Sequence, residues 1–233
     1  MAVTGFTTSN FLRTTTTPIT GKPITLSIWC NPNSTSTMRL FEWADNATTN
    51  NLARINFSGS NQVTGTYNNG GSAVTVSTTG TVSVGSWTHA CAVFAGSSAL
   101  SYINGTAAPT PAVIGSDPTG VDRFGVGISA TGGAATAPFD GLLERACVWN
   151  MALTQSDISA LAAGADPFSV QPANLVCYWR LLTTTDITNL VTPGTHDLTL
   201  TGSLSNGGSS PTIYDSPLAV FSGQSGLGSL LML

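Results

Sequence analysis

The chain has 233 residues, and 8% of them are charged, against roughly 25% in an average soluble domain. The net charge is −4 and the seven basic residues are scattered along the sequence, so we predict no basic patch and no nucleic-acid partner. No apolar run reaches the roughly 18 residues of a membrane span. The N-terminal MAVTGFTTSN lacks the features of a signal peptide, so we expect an intracellular origin.

A long central part of the chain carries no charge at all. No Asp, Glu, Lys or Arg occurs between Ile55 and Ser116, and the mean hydropathy of the chain is +0.20. Two interpretations stay open: either threonine and serine hydroxyls replace charges on the surface of a sheet, or neighbouring subunits cover that surface. The chain also has four cysteines in apolar segments without a CxxC motif, which we expect to be buried free thiols.

Short segments rich in β-branched and aromatic residues recur along the chain. In ITLSIWCN, residues Ile24, Leu26, Ile28 and Cys30 alternate with polar residues or Trp, which is the period of a half-buried strand. Asn104-Gly105 is a strong signal for a tight hairpin turn. Ten strand segments follow from such patterns: 24–31, 38–45, 53–59, 73–84, 87–94, 99–106, 124–129, 142–149, 174–182 and 198–204.

One helix signal follows directly on a strand, in FDGLLERACVWNMALTQSDISALAAG. Thr154 fits an N-cap, and Asp157 stands at the third helical position, as in a capping box. Leu153 and Ile158 are spaced as a hydrophobic staple, and Gly164 can end the helix. We therefore predict one short α-helix near residues 154–163, whose apolar face must pack against the rest of the protein because so short a helix is unstable alone.

This same segment resembles the closing signature of laminin-G-like, concanavalin A-like jelly rolls. Three further segments match that family in the same order: SNFLRTTTTPITGKPITLSIWCNP, VGSWTHACAVFAGSSALSYINGT and, more loosely, DPFSVQPANLVCYWRLL, which is similar to a variant common in bacteriophage structural proteins. The resemblance implies an all-β fold, an antiparallel β-sandwich jelly roll. We expect the sandwich to span residues 1–203, the helix to cap one end of it, and residues 204–233 to form an extended apolar tail.

Few residues are placed for catalysis. The family includes glucanases, whose Glu-x-Asp-x-Glu strand presents two carboxylates. Here the two glutamates, Glu42 and Glu144, are not spaced in that way. His89 has no nucleophile or carboxylate partner in the pattern, so we expect a buried, hydrogen-bonded histidine. We therefore expect a protein that is not an enzyme, with no catalytic residue and no cofactor.

Two kinds of binding site remain as candidates at the loops. Family members sometimes bind Ca²⁺ at the rim, for which Asp45, Asp117 and Asp122 are the candidate ligands, although each also fits an ordinary turn. A glycan could stack on aromatic residues beside Asn-rich loops. The candidate residues for glycan binding are Trp43, Asn46 and Tyr67.

The resemblance and the low charge favour a virion structural protein. We expect a phage capsid decoration protein, assembled in the host cytoplasm, that forms a homo-oligomer (a trimer) and bridges other virion proteins such as the major capsid protein. The alternative is a lectin-like, carbohydrate-binding module on a phage fibre or spike. The apolar tail either folds back on the sandwich or docks on a partner, and we expect docking. The assembly residues would then be Leu218, Val220, Phe221, Leu227, Leu230, Leu231 and Leu233.

Overall fold

The computed structural model describes residues 1–71 and 73–213. Within these residues there are sixteen strands and one α-helix, α1 (Gln155–Ala162), besides two short 3-10 helices at Thr131–Gly133 and Pro167–Ser169. No helix within the described residues is long and apolar enough to cross a membrane. The strands are β1 (Ala2–Thr4), β2 (Phe11–Arg13), β3 (Ile24–Pro32), β4 (Arg39–Ala44), β5 (Asn51–Phe57), β6 (Gln62–Asn69), β7 (Val74–Thr81), β8 (Thr88–Ala95), β9 (Ser98–Ile103), β10 (Thr106–Ala107), β11 (Ala112–Val113), β12 (Arg123–Val126), β13 (Gly141–Trp149), β14 (Leu175–Trp179), β15 (Thr199–Thr201) and β16 (Ser205–Gly207).

Two antiparallel sheets pack face to face as a sandwich, as the sequence predicts. Sheet A has the strand order β10-β9-β8-β3-β13-β1-β16, with β11 also beside β9 and β14 also beside β13. Sheet B has the order β15-β2-β12-β4-β5-β6-β7. Many strands that follow each other in the sequence are not adjacent in a sheet, because the chain crosses between the two sheets. This is the connectivity of a jelly roll.

The core between the sheets follows the period-two pattern. Leu26 and Ile28 of β3 are fully buried in it, and Trp179 of β14 makes edge contacts with Phe41 and Phe124 at ring-centroid distances of 6.1 and 5.8 Å. Removal of so much apolar surface from water is the main stabilising contribution to a sandwich of this size.

The helix has the predicted cap. The Thr154 hydroxyl accepts a hydrogen bond from the Asp157 N–H at 3.2 Å, and the Asp157 carboxylate accepts one from the Thr154 N–H at 2.9 Å. The prediction that this helix caps one end of the sandwich is wrong. Ile158 and Leu161 pack with Cys91 and Trp149, which point outward from β8 and β13, so the helix covers the outer face of sheet A.

The sandwich also extends beyond the predicted boundary at residue 203. Leu204 is buried in the core, and β16 adds a strand to sheet A beside β1. The indole N–H of Trp87 donates to the Ser209 carbonyl at 2.8 Å. The predicted assembly residues from Leu218 to Leu233 lie outside the described residues.

All four cysteines are buried free thiols, as predicted. Burial raises the pKa of each thiol. The residues are Cys30, Cys91, Cys147 and Cys177.

Candidate functional site

One lateral row of residues crosses sheet B on its outer face, the face that points away from sheet A. Glu42 of β4 lies between two core aromatic residues and therefore points outward. In the row, Glu42 has Gly125 of β12 on one side and Arg54 of β5 on the other. Arg13 of β2 lies opposite Gly125. The strand register thus places one arginine on each side of Glu42: Arg54 directly beside it, and Arg13 beyond Gly125.

Glu42 is fully buried and is held by several donors. Its carboxylate pairs with Arg54 Nη1 at 3.4 Å and accepts hydrogen bonds from the Ala130 N–H at 2.8 Å and the Ser129 hydroxyl at 3.2 Å. Both donors belong to the loop that follows β12. A side chain at Gly125 would place its Cβ 2.7 Å from the Ala130 Cβ, so glycine at this position lets the loop lie close to the sheet.

Two further arginines border this loop and the strands beneath it. Arg13 Nη2 donates to the carbonyl oxygens of Ser129 and Ala134, both at 2.9 Å. Arg123 forms an ion pair with the neighbouring Asp122 at 2.9 Å. The pKa of Arg13 is lowered, first by burial and then by the positive charge of Arg123. These two arginines therefore have their principal partners within the protein.

Arg39 differs from the other three arginines. It lies opposite Asn56 in the pairing of β4 with β5, and its side chain makes no hydrogen bond or ion pair with the described residues. Burial and the positive charge of Arg54 lower the pKa of Arg39 to about 10, against a weaker opposing effect of Glu42. The guanidinium is therefore still charged at neutral pH. We call this region the arginine face, and define it as Arg13, Arg39, Arg54 and Arg123 around Glu42.

Three of these arginines keep a buried N–H group without a partner. The Nε atoms of Arg13, Arg39 and Arg54 are inaccessible to solvent and unpaired among the described residues. The terminal nitrogens of Arg39 are also unpaired but are not among the inaccessible atoms. A buried donor without an acceptor costs free energy, about 1–3 kcal/mol. A ligand cannot reach these inaccessible Nε atoms, so it would meet the face through the terminal nitrogens, which in Arg39 are accessible and unpaired.

Polar side chains continue the outer face of sheet B toward β7. Asn56, Thr64 and Thr66 are almost completely buried, although they point away from the core. The Thr66 hydroxyl bonds to Asn56 Oδ1 at 3.0 Å and to the hydroxyl of the exposed Thr75 at 3.1 Å. Asn56 and Thr66 are therefore paired with each other inside the face, and among these residues the Thr75 hydroxyl is the one accessible from outside.

The basic residues are scattered along the sequence, but the prediction that they form no basic patch is wrong. Four of the seven basic residues converge on one sheet face, although they are up to 110 positions apart (Arg13 and Arg123). The sequence does contain a signal for them. In a chain with 8% charged residues, each of these four arginines stands in a strand, where a charge must either point to solvent or serve a site.

The aromatic residues predicted for glycan stacking are not on a surface. Trp43 is fully buried, because its position in β4 faces the core, and its ring offers no face to a sugar. Tyr67 is also buried; its hydroxyl donates to the Ser116 carbonyl at 2.8 Å and its ring lies under the Lys22 ammonium. Asn46 remains half-buried on the loop after β4. The prediction that Trp43 and Tyr67 form an open aromatic platform is therefore wrong.

The predicted Ca²⁺ ligands lie at two separate places. Asp122 accepts a hydrogen bond from the Asn46 N–H at 3.1 Å, which brings it beside the loop that begins at Asp45. Asp117 instead forms an ion pair with Lys22 at 3.7 Å. In residues 1–71 and 73–213, no three acidic, histidine or cysteine side chains come together as a metal site.

Asp45 is engaged within its own loop. Burial opposes its ionisation, but hydrogen bonds from the Ala47 N–H at 2.7 Å and the Thr48 hydroxyl at 2.8 Å outweigh this effect and lower the pKa. This pattern is that of a turn-forming aspartate.

The two glutamates lie on different sheets. Glu42 points outward from sheet B and Glu144, opposite Trp29, points outward from sheet A, so the core separates them. They do not form the closely spaced pair that retaining glycoside hydrolysis needs. His89 is fully buried with its Nε2 2.8 Å from the Ser27 hydroxyl, as predicted, and burial lowers its pKa to about 3.

Sequence comparison identifies the family. The family model Laminin_G_3, described as the concanavalin A-like lectin/glucanases superfamily, matches residues 6–159. The match covers more than half of the chain, so the protein belongs to this family, as the sequence segments predict. No curated protein matches the sequence.

Solved structures of other proteins share the fold. A heptameric SAP-like pentraxin from Limulus polyphemus is 16% identical, with a TM-score of 0.59 over 87% of this chain and 91% of that chain. The CBM40 of a Ruminococcus gnavus IT-sialidase, bound to α2,3 sialyllactose, is 17% identical, with a TM-score of 0.54 over 61% and 84%. Domain 4 of the Geobacillus stearothermophilus arabinanase AbnA, in complex with arabinotriose, is 19% identical, with a TM-score of 0.51 over 65% and 72%.

Proposed function

We propose that this protein is a carbohydrate-binding module and that the arginine face is its binding site. The observation that carries the proposal is the unpaired guanidinium of Arg39, which stands beside the hydroxyl-rich half of sheet B. Sugar hydroxyls both accept and donate hydrogen bonds, so they match a surface of guanidinium, amide and hydroxyl groups. Support also comes from the family and from the two similar modules that bind sialyllactose and arabinotriose by their own descriptions.

The test is a glycan array with the purified chain, followed by calorimetric titration of the glycans that bind. We expect Arg39→Gln to weaken binding about ten-fold, because a hydrogen bond to a charged group contributes about 1.5–3 kcal/mol. Arg180→Gln is the matched control: Arg180 follows β14 of sheet A and pairs with Asp186 at 3.4 Å, away from the face. Equal affinity of both variants and the unchanged protein would place the site elsewhere.

A second candidate function is the virion role: a phage capsid decoration protein located in the virion. Its support is the uncharged stretch between Ile55 and Ser116, which contains β6 to β11 and so makes up one side of the sandwich. Edge strand β7 of sheet B contacts β11 at the edge of sheet A, where Val113 is 80% exposed. Uncharged strand edges favour pairing with another chain.

Sedimentation velocity tests this second function and the oligomer expected with it. We expect the full chain to sediment as a homo-oligomer, for which a trimer is our prediction, and to bind empty capsids of its source phage at a fixed ratio. Val113→Lys should weaken both associations, since it adds a charge to the edge, while Thr185→Lys at an exposed loop position of the other side is the control. A monomer that ignores the capsid would refute the virion role and leave the carbohydrate-binding proposal intact.

A further inference from the structure

We propose that the arginine face selects acidic sugars, with Arg39 and Arg54 holding the carboxylate of a uronic or sialic acid unit. This inference rests on the proposed carbohydrate-binding function and names the ligand class of the same site. It follows from the charge of the face, the spacing of the two arginines and the groups beside them.

The face carries a positive charge that the described residues do not neutralise. Its four guanidinium groups meet only two carboxylates, those of Glu42 and Asp122. The whole chain has a net charge of −4, so this surplus is opposite in sign to the rest of the molecule. Concentrated charge of one sign on a surface attracts ligands of the other sign and raises their rate of association.

Arg39 and Arg54 are spaced to share one anion. Arg39 lies opposite Asn56, and Arg54 is two residues before Asn56 on the same face of β5, so the two arginines are diagonal neighbours, roughly 7–8 Å apart in such a pairing. Their long side chains can converge on one group at that separation. A carboxylate has two oxygens that accept from guanidinium N–H groups in a planar, two-pronged arrangement.

Only part of the hydrogen-bonding capacity of this pair is used within the protein. Arg54 directs Nη1 to Glu42 at 3.4 Å, which is longer than an ideal charge-assisted hydrogen bond, and its Nε has no partner. Arg39 uses none of its side-chain donors among the described residues. Because both Nε atoms are inaccessible, an added carboxylate would bind to the terminal nitrogens, those of Arg39 above all, and would also relieve the repulsion between the two guanidinium groups.

The groups around the pair match the remainder of a sugar rather than a bare anion. Thr66 and Thr75 follow Arg54 in the same lateral row; Thr66 is buried and bonded to the Thr75 hydroxyl, which is exposed and open to a ligand. Hydroxyl groups give a neutral saccharide ring both donors and acceptors. The face therefore combines a charged position for a carboxylate with polar positions for ring hydroxyls.

The experiment compares matched acidic and neutral ligands by calorimetric titration of the full chain. One pair is 3′-sialyllactose and lactose; the other is trigalacturonic acid and its methyl ester. We expect the acid of at least one pair to bind about ten-fold more tightly than its neutral counterpart, since hydrogen bonds between charged groups are roughly twice as strong as neutral ones. The pair that shows this preference identifies a sialic or a uronic acid.

Variants separate this inference from the proposed function. Arg39→Gln should reduce the preference for the acid to about two-fold or less, whereas Arg180→Gln should keep it; the preference of the unchanged protein should also decrease at 1 M salt. Equal binding of acid and neutral ligand, or tight binding only to a neutral array glycan, would overturn the acidic selectivity and leave the carbohydrate-binding function standing. Absence of binding to every array glycan would refute both.

Discussion

The substitution Glu42→Gln tests whether one carboxylate organises the arginine face. Glutamine can still accept from the Ala130 N–H and the Ser129 hydroxyl, but its amide nitrogen would face Arg54 Nη1, donor against donor, where the carboxylate now lies at 3.4 Å. Loss of a partner from a fully buried ion pair costs about 3–5 kcal/mol. The Arg54 side chain is 16% exposed and can be hydrated in part, so we expect a loss of about 2–3 kcal/mol.

Urea unfolding followed by tryptophan fluorescence measures this loss, because three of the five tryptophans, including Trp43 beside Glu42, are fully buried. Asp186→Asn is the matched control: it removes the carboxylate of a more exposed ion pair with Arg180 and should cost less than about 1 kcal/mol. Added salt should reduce the loss in Glu42→Gln, since it screens the remaining repulsion among the arginines. A loss below about 0.5 kcal/mol would show that Glu42 does not hold the face together.

Three further predictions concern the fold. Thr154→Ala removes the acceptor for the Asp157 N–H and should lower the free energy of unfolding by about 1 kcal/mol; a Ser substitution, which keeps the hydroxyl, should restore it. Burial lowers the pKa of His89 to about 3 in the fold, against 6.5 for an unperturbed histidine, so the unfolded state binds more protons in this range. Stability should therefore fall as the pH is lowered from 6.5, with a slope that approaches about 1.4 kcal/mol per unit near pH 5, and a His89→Gln variant should lose this slope. Gly127→Ala should strongly destabilise the fold and lower the thermal midpoint, because φ is +71° there and the added Cβ would lie 2.4 Å from the Phe6 ring; an unchanged midpoint would contradict the close approach.

The strands that sequence reasoning found include the long apolar ones. β3, β8 and β13 have eight or nine residues each; β3 alternates, whereas β8 and β13 carry apolar residues on both faces, as expected of covered strands. The missed strands β1, β10 and β11 have two or three residues, too few for any period to be read, and tertiary pairing rather than local preference decides such short strands. The eight-residue β6 is also missed, because Gly65 and the Asn and Gly residues up to Gly71 indicate a hairpin turn there.

The site was not predicted because its residues meet only through register. Arg39 and Arg54 come from the consecutive strands β4 and β5, but Arg13 and Arg123 come from β2 and β12, which are distant in the chain and are brought beside β4 by the strand order of sheet B. A single sequence specifies that each strand exists, but it does not specify the strand order that sets them side by side. The alternation in β4, by contrast, could have shown that Trp43 points inward and Glu42 outward.

The arginine face lowers the free energy of unfolding, so its role can be tested in the absence of ligand. Arg39 is half-buried without a partner and stands beside a second positive charge, so it opposes folding rather than supporting it. Arg39→Met keeps the length of the side chain and removes the charge. We expect it to raise the free energy of unfolding by about 1 kcal/mol in urea titrations and at the same time to abolish the preference for acidic sugars. Arg180→Met, which breaks an ion pair, is the control and should not stabilise the protein. If Arg39→Met destabilises the fold, then Arg39 has a structural role and the ligand is not needed to explain its presence on this face.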